Sequence, residues 1–142
     1  MRKKIKQKAK YAFVSVSLDS ESIGSSKTMK EARKALVTGM ANEWAKATKE
    51  VTSDDHHIDT AAYINSIGFE THYLGPRGQD VGPIINELEE TGTKTTLRTG
   101  SGVHYAIFLE GSYNIYARGL ENGMDRMLTA GMAAMKKVLK QR

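Results

Sequence analysis

Asp54-Asp55-His56-His57, with Asp59 two residues on, is the densest group of potential metal ligands in the chain. Carboxylates and imidazoles are donors that a divalent cation accepts, and a metal-dependent enzyme would use such a cluster. Adjacent residues diverge unless a loop folds sharply, and no histidine pair has the i, i+4 spacing that shares one helix face. The run therefore reads as a hydrophilic loop. Ser101 sits in Gly100-Ser101-Gly102, but the five-residue nucleophile elbow between a strand and a helix is missing, which leaves a hairpin loop. Glu89-Glu90 is a pair of acids on an expected short helix or loop, with no apolar pocket to raise a carboxyl pKa. His72 and His104 are lone imidazoles. The glycines spell neither a phosphate loop nor a dinucleotide turn. No catalytic residue, metal ligand or cofactor is assigned, and the expectation is a protein that is not an enzyme.

The elements that would carry these residues follow from periodicity. Tyr11–Leu18 alternates, with Ala12, Val14, Val16 and Leu18 on one face, which predicts a strand. Thr28 with Glu31 forms a capping box. A helix should run from there to about Glu50, with Met29, Ala32, Leu36, Met40, Trp44 and Ala47 as its apolar stripe; Lys30, Arg33, Lys34, Lys46 and Lys49 should lie mostly away from it. Thr52–Asp59 is a polar break. Tyr63, Ile67, Phe69 and Tyr73 predict a strand within Ala61–Leu74, although Ala61–Asn65 could form a helical turn. Gly75–Gly102 reads as a loop-rich insert, holding a short helix over Ile84–Glu90 opened by Pro83 and a β-prone stretch over Thr93–Thr99. Val103–Glu110 reads as the best strand in the chain. Leu120, Met124, Met127, Leu128, Gly131, Met135, Val138 and Leu139 predict a second long amphipathic helix ending near Lys140, with a basic last turn suited to the helix dipole. Met at that spacing reads as a core stripe, although Met also makes adaptable partner grooves. The expected fold is α+β: one domain over residues 11–142, with an antiparallel sheet packed against two long amphipathic helices.

A chain of 142 residues suits a single domain, and 39% hydrophobic residues suffice for a core. There is no Cys, so neither disulfides nor thiolate chemistry contribute, as suits a reducing compartment. No apolar stretch approaches the ~20 residues that span a bilayer, and the short alternating Tyr11–Leu18 is no signal-peptide core. The net charge of +5 conceals a polarity. Arg2, Lys3, Lys4, Lys6, Lys8 and Lys10 form a basic N-terminal arm without acids, and Lys136, Lys137, Lys140 and Arg142 add four bases at the other end. These ten of the 21 bases leave eleven against all 16 acids in residues 11–135, a balance of −5. Basic ends on an acidic body suit docking onto an acidic neighbour, including another copy. The six arm residues are the candidate partner-binding residues.

Two segments carry a resemblance. Asp59, Thr60, Asn65, Ser66 and Ile67, with Tyr63 at the apolar position, resemble the Asp-Thr-Gly-x-Leu-x-x-Ser-Ile stretch that follows the first long helix in phage tail-completion (head–tail joining, minor tail component) proteins. Tyr105, Ala106, Ile107, Phe108, Leu109 and Glu110 resemble that family's Tyr-Ala-x-Tyr-Val-Glu-x-Gly-Thr stretch, and Arg118-Gly119-Leu120-Glu121-Asn122 is similar to the start of its last helix. Ala61 stands where the family has glycine, so a turn that needs positive φ there is strained or reshaped. Glu110-Gly111-Ser112 lacks the residue between acid and glycine, Glu90-Thr91-Gly92-Thr93 carries that ending instead, and the proline-rich segment before the last helix is missing.

The resemblance implies a structural virion protein of the neck, made in the host cytoplasm. Copies of it, six in number, would form a ring joining the head connector and stopper to the tail tube or its terminator. Genomic DNA would pass through without sequence-specific binding, and an acidic body would repel its phosphates. The alternative is a small basic nucleic-acid-binding protein, suggested by a pI near 9.4, although only Tyr11 adjoins the Lys run as a stacking platform. A metal-dependent enzyme using His56 and His57 is a third reading.

Overall fold

A computed structural model describes residues 13–19, 27–55 and 61–140. The chain runs β1 (Val14–Asp19), α1 (Lys27–Asp54), α2 (Ala62–Asn65), β2 (Ile84–Glu90), β3 (Lys94–Ser101), α3 (Ala106–Tyr113) and α4 (Ile115–Lys140). The three strands form one antiparallel sheet in the order β1-β3-β2. The α+β architecture expected from the sequence is present.

Alternation sets the two faces of the sheet. Thr95, Leu97, Thr99 and Ser101 on β3 point inward and are buried, and Val16 and Leu88 lie directly opposite Leu97 in the register. The outer face is polar: Arg98 stands across from Ser15 and Glu87, with guanidinium nitrogens 3.9 Å from Glu87 and 3.7 Å from Glu89. A sheet covered on one side only should alternate in this way.

α1 packs against the inner face of the sheet and α4 packs antiparallel along α1. The contact between the helices is unusually close, because α4 presents Gly119, Gly123, Met127 and Gly131 at four-residue spacing, the i±4 row of a helix surface. A Cβ on Gly119 would lie 1.9 Å from Thr48 Oγ1, and one on Gly123 would lie 2.8 Å from Ala47 Cβ. Trp44 seals the junction, donating from Nε1 to Tyr116 O at 3.1 Å and meeting the Tyr116 ring edge-on at 5.0 Å. α1 is thus buried on two faces, one toward the sheet and one toward α4. For this reason Arg33 and Lys49, read from sequence as lying off the stripe, are buried.

Three local expectations are corrected. Ile84–Glu90 is a strand, because pairing with β3 along its whole length outweighs the helix-forming Glu and Leu residues. The region read as a loop-rich insert therefore contains two of the three strands. Ala61–Leu74 forms no strand; α2 is followed by irregular chain. Val103–Glu110 is not a strand either: Val103–Tyr105 form a turn, and α3 begins at Ala106. Tyr105 and Leu109 are one helical turn apart, so the same residues reach the core from a helix.

Candidate functional site

Among the described residues, several that could do chemistry are held in contacts within the fold. Asp55 pairs with the Arg118 guanidinium on α4, which occupies its carboxylate; His56, His57 and Asp59 lie outside the described residues. Among the described residues no three His, Cys, Asp or Glu side chains gather as a metal site. Ser101 ends the central strand instead of a hairpin loop. It is fully buried, its Oγ is 2.6 Å from Ser66 Oγ, and its N–H donates to Tyr116 Oη at 2.7 Å. Among the described residues its hydrogen-bond partners are Ser66, Tyr116 and the Val103 N–H, none of them an imidazole or carboxylate. His72 is exposed 3.4 Å from Glu70, and His104 is exposed against the Tyr105 ring.

Glu89 and Glu90 are strand neighbours and so point to opposite faces. Glu90 accepts from Arg33 Nη2 at 2.6 Å and from the Thr95 hydroxyl. Burial works to raise its carboxyl pKa, but the hydrogen bonds from Thr95 and Arg33 and the charge of Arg33 hold it below the usual range. That is an ion pair built for folding. A depression of about 470 Å³ is an open trough between α1 and α4 lined by Glu31, Lys34, Thr38, Asn42 and Ala134 among others.

The segment 61–67 works as a clamp. Ala61 has φ 72 and ψ 5, the left-handed conformation that favours glycine. Asn65 is buried with its amide fully used: Oδ1 accepts from Tyr73 N at 2.6 Å and Thr71 Oγ1 at 3.1 Å, and Nδ2 donates to Tyr73 O and Asp80 O. Ser66 Oγ bridges to Ser101 and back to Ala62 O, tying α2 to β3. Ile67 is fully buried. Lys49 on α1 holds the following chain, with Nζ donating to Ile64 O (2.6 Å), Phe69 O (3.0 Å) and Thr71 Oγ1 (3.0 Å). Burial pushes its pKa down to about 7.

The second segment works as a corner. Asn114 has φ 52 and turns the chain from α3 into α4. Glu110 reaches across that corner, Oε1 accepting from Tyr116 N at 2.6 Å and Oε2 from Ala117 N at 3.3 Å. A carboxylate on the free N–H groups of a helix start satisfies them and complements the dipole. Tyr116 packs between Trp44 and Tyr63, stacked on Tyr63 at 6.4 Å; burial pushes its hydroxyl up to about 12 and that of Tyr63 above its usual range.

What the fold leaves uncovered is apolar. Leu74 and Phe108 are about three-quarters exposed, and Ile107 and Tyr113 add to the α3 surface. On α4, Met124, Leu128, Met132 and Leu139 are 39–50% exposed, beside the glycine face that meets α1. The core stripe expected of this helix is therefore divided, with Met127 and Gly131 inside and Met124, Leu128 and Leu139 outside. Surfaces of this kind mark contact with other macromolecules. They carried a sequence signal, since α4 has more apolar positions than one buried face requires. The arm residues Arg2, Lys3, Lys4, Lys6, Lys8 and Lys10 lie outside the described residues. No described helix is long and apolar enough to cross a membrane. No protein-family model, curated protein or solved structure matches the chain.

Proposed function

We propose that this protein is a structural subunit of the neck of a tailed phage, a ring-forming tail-completion component between head connector and tail tube. One observation carries the reading. The position where the tail-completion family has glycine is occupied here by Ala61, and its backbone is held at φ 72, the conformation for which glycine is the usual residue. A left-handed backbone at this position supports reading it as the place of the family's glycine. The other matching positions also act as joints: Asn65 and Ser66 clamp the loops, and Glu110 caps the last helix.

Exposed apolar surface on α3 and α4 supports an assembling subunit, and ring closure would bury it. The basic arm then docks on an acidic neighbour, and the acidic body leaves the passing DNA unbound. Electron microscopy of the purified chain mixed with connector and tail tubes of the same virus tests the reading. Rings capping one end of the tube are expected; a protein that ignores both assemblies would refute it.

A further inference from the structure

α4 meets α1 through Gly119, Gly123, Met127 and Gly131, and a second stripe runs beside that face. Leu128, half exposed, stands at its centre. Met124 and Met132 lie four residues to either side, Glu121 and Met135 seven, and Ala117 and Leu139 eleven. At 3.6 residues per turn all of them fall within a sector of roughly 80°, on a strip about 33 Å long. Met135 marks the edge that dips toward Val16, Leu36 and Leu97. The spacing reads the same from either end, so the strip fits a copy of itself turned end for end.

Charge on the same helix does the opposite and changes sign along it. Arg118 is taken up by Asp55, and Arg126 by Glu43 and Glu50. That leaves Glu121 and Asp125 toward one end of α4 and Lys136, Lys137 and Lys140 toward the other, all exposed. No ion pair among the described residues engages Glu121 or Lys136. Glu121 lies on the stripe itself, and Lys136 lies on its solvent shoulder, about 60° away around the helix.

We infer that the free chain pairs through α4 with a second copy, antiparallel about a two-fold axis at Leu128. Leu128 then meets Leu128, Met124 meets Met132, and Leu139 covers Ala117. Glu121 of each copy comes level with Met135 and Lys136 of the other, which makes two Glu121–Lys136 ion pairs, one at each end. A parallel pairing would set Glu121 against Glu121 and Lys136 against Lys136, so the charges select the antiparallel one. A second copy is the occupant because the strip is complementary to itself in both spacing and charge, as a two-fold contact requires. Such a contact closes at two copies. It therefore belongs to the free chain and lies beyond the neck reading: it covers the apolar strip before assembly, and a ring built through α4 forms only once the pair has opened.

Single cysteines in the full chain test this, because it has none of its own. Under mild oxidation L128C should cross-link to itself, since the two copies of that residue meet at the axis. M124C and M132C should each stay uncross-linked alone, because two copies of either lie about 12 Å apart along the helices, too far for a disulfide; a mixture of the two should cross-link. In sedimentation velocity wild type should form a dimer and nothing larger. L128E should keep the wild-type melting curve and weaken the dimer at least about 30-fold. E121K and K136E should each weaken it about 5-fold, while their equimolar mixture, and the double variant E121K/K136E, should recover wild-type association. Wild type that stays monomeric, M124C that links to itself as readily as to M132C, or a mixture of the charge variants that associates no better than either alone overturns the proposal. A dimer that meets every expectation, from a protein that never binds connector or tube, would uphold the pairing and refute the neck reading alone.

Discussion

Replacing Ala61 with glycine removes a buried methyl from the core, yet it should leave stability almost unchanged. At an ordinary helical site such as Ala45, also buried, the same change loses about 0.8 kcal/mol of methyl burial and about 1 kcal/mol of helix propensity. The expected cost there is about 2 kcal/mol. Ala61 sits at φ 72, where a Cβ costs roughly 1–2 kcal/mol. Relief of that strain offsets the methyl and the 0.4–1 kcal/mol of added unfolded-state entropy, leaving a net change within about 0.8 kcal/mol of zero. An unfolding entropy of about 2.1 cal/mol/K per residue over this length makes 1 kcal/mol worth about 3–4 °C. Ala45→Gly should therefore lower Tm by roughly 6 °C, and Ala61→Gly by no more than about 3 °C. Calorimetry on the two variants decides it. Equal losses would show that position 61 carries no left-handed strain, and the geometric link to the family's glycine would fail.

Gly119→Ala should destabilise by about 2–3 kcal/mol despite alanine's better helix propensity, since its Cβ would meet Thr48 at 1.9 Å; chemical denaturation measures it, and a stabilised variant would contradict the helix spacing. For Lys49 the folded pKa is lowered to about 7 from 10.5, so between those values the unfolded chain holds a proton that the folded chain lacks. Stability should then rise with pH from about 7 to about 10.5 and be flat in this respect below; Lys49→Met should flatten the rise, and an unchanged slope in the variant would assign it to other groups. Deleting residues 2–10 should leave the melting curve intact and weaken docking onto the neighbouring ring; undiminished assembly would remove the arm from the account.

Periodicity revealed the long helices and the strand at Val14–Asp19, because each has one apolar face repeated over enough residues, and it marked Thr93–Thr99 as β-prone within what forms Lys94–Ser101. It failed where side chains or partners decide. Ile84–Glu90 has helix-forming letters and becomes a strand only because β3 lies beside it. Val103–Glu110 fits period two and period 3.6 alike, and the helical solution brings the Glu110 carboxylate to the start of α4. The chain after α2 is held by Asn65 and Lys49, polar anchors that leave no periodic trace. Arg33 and Lys49 were misplaced because a charged residue predicts exposure until it finds buried partners. The candidate site was legible as two motifs, and their action as clamp and corner rests on the hydrogen bonds of Asn65, Ser66 and Glu110.

Head–tail joining itself is the most direct measurement. On the proposed neck role, deleting the gene for this chain from a phage that encodes it should yield DNA-filled heads and finished tails that stay apart in lysates, and the purified full chain, added back, should join them and restore infectivity. Particles that join equally well without the protein would contradict the neck assignment outright.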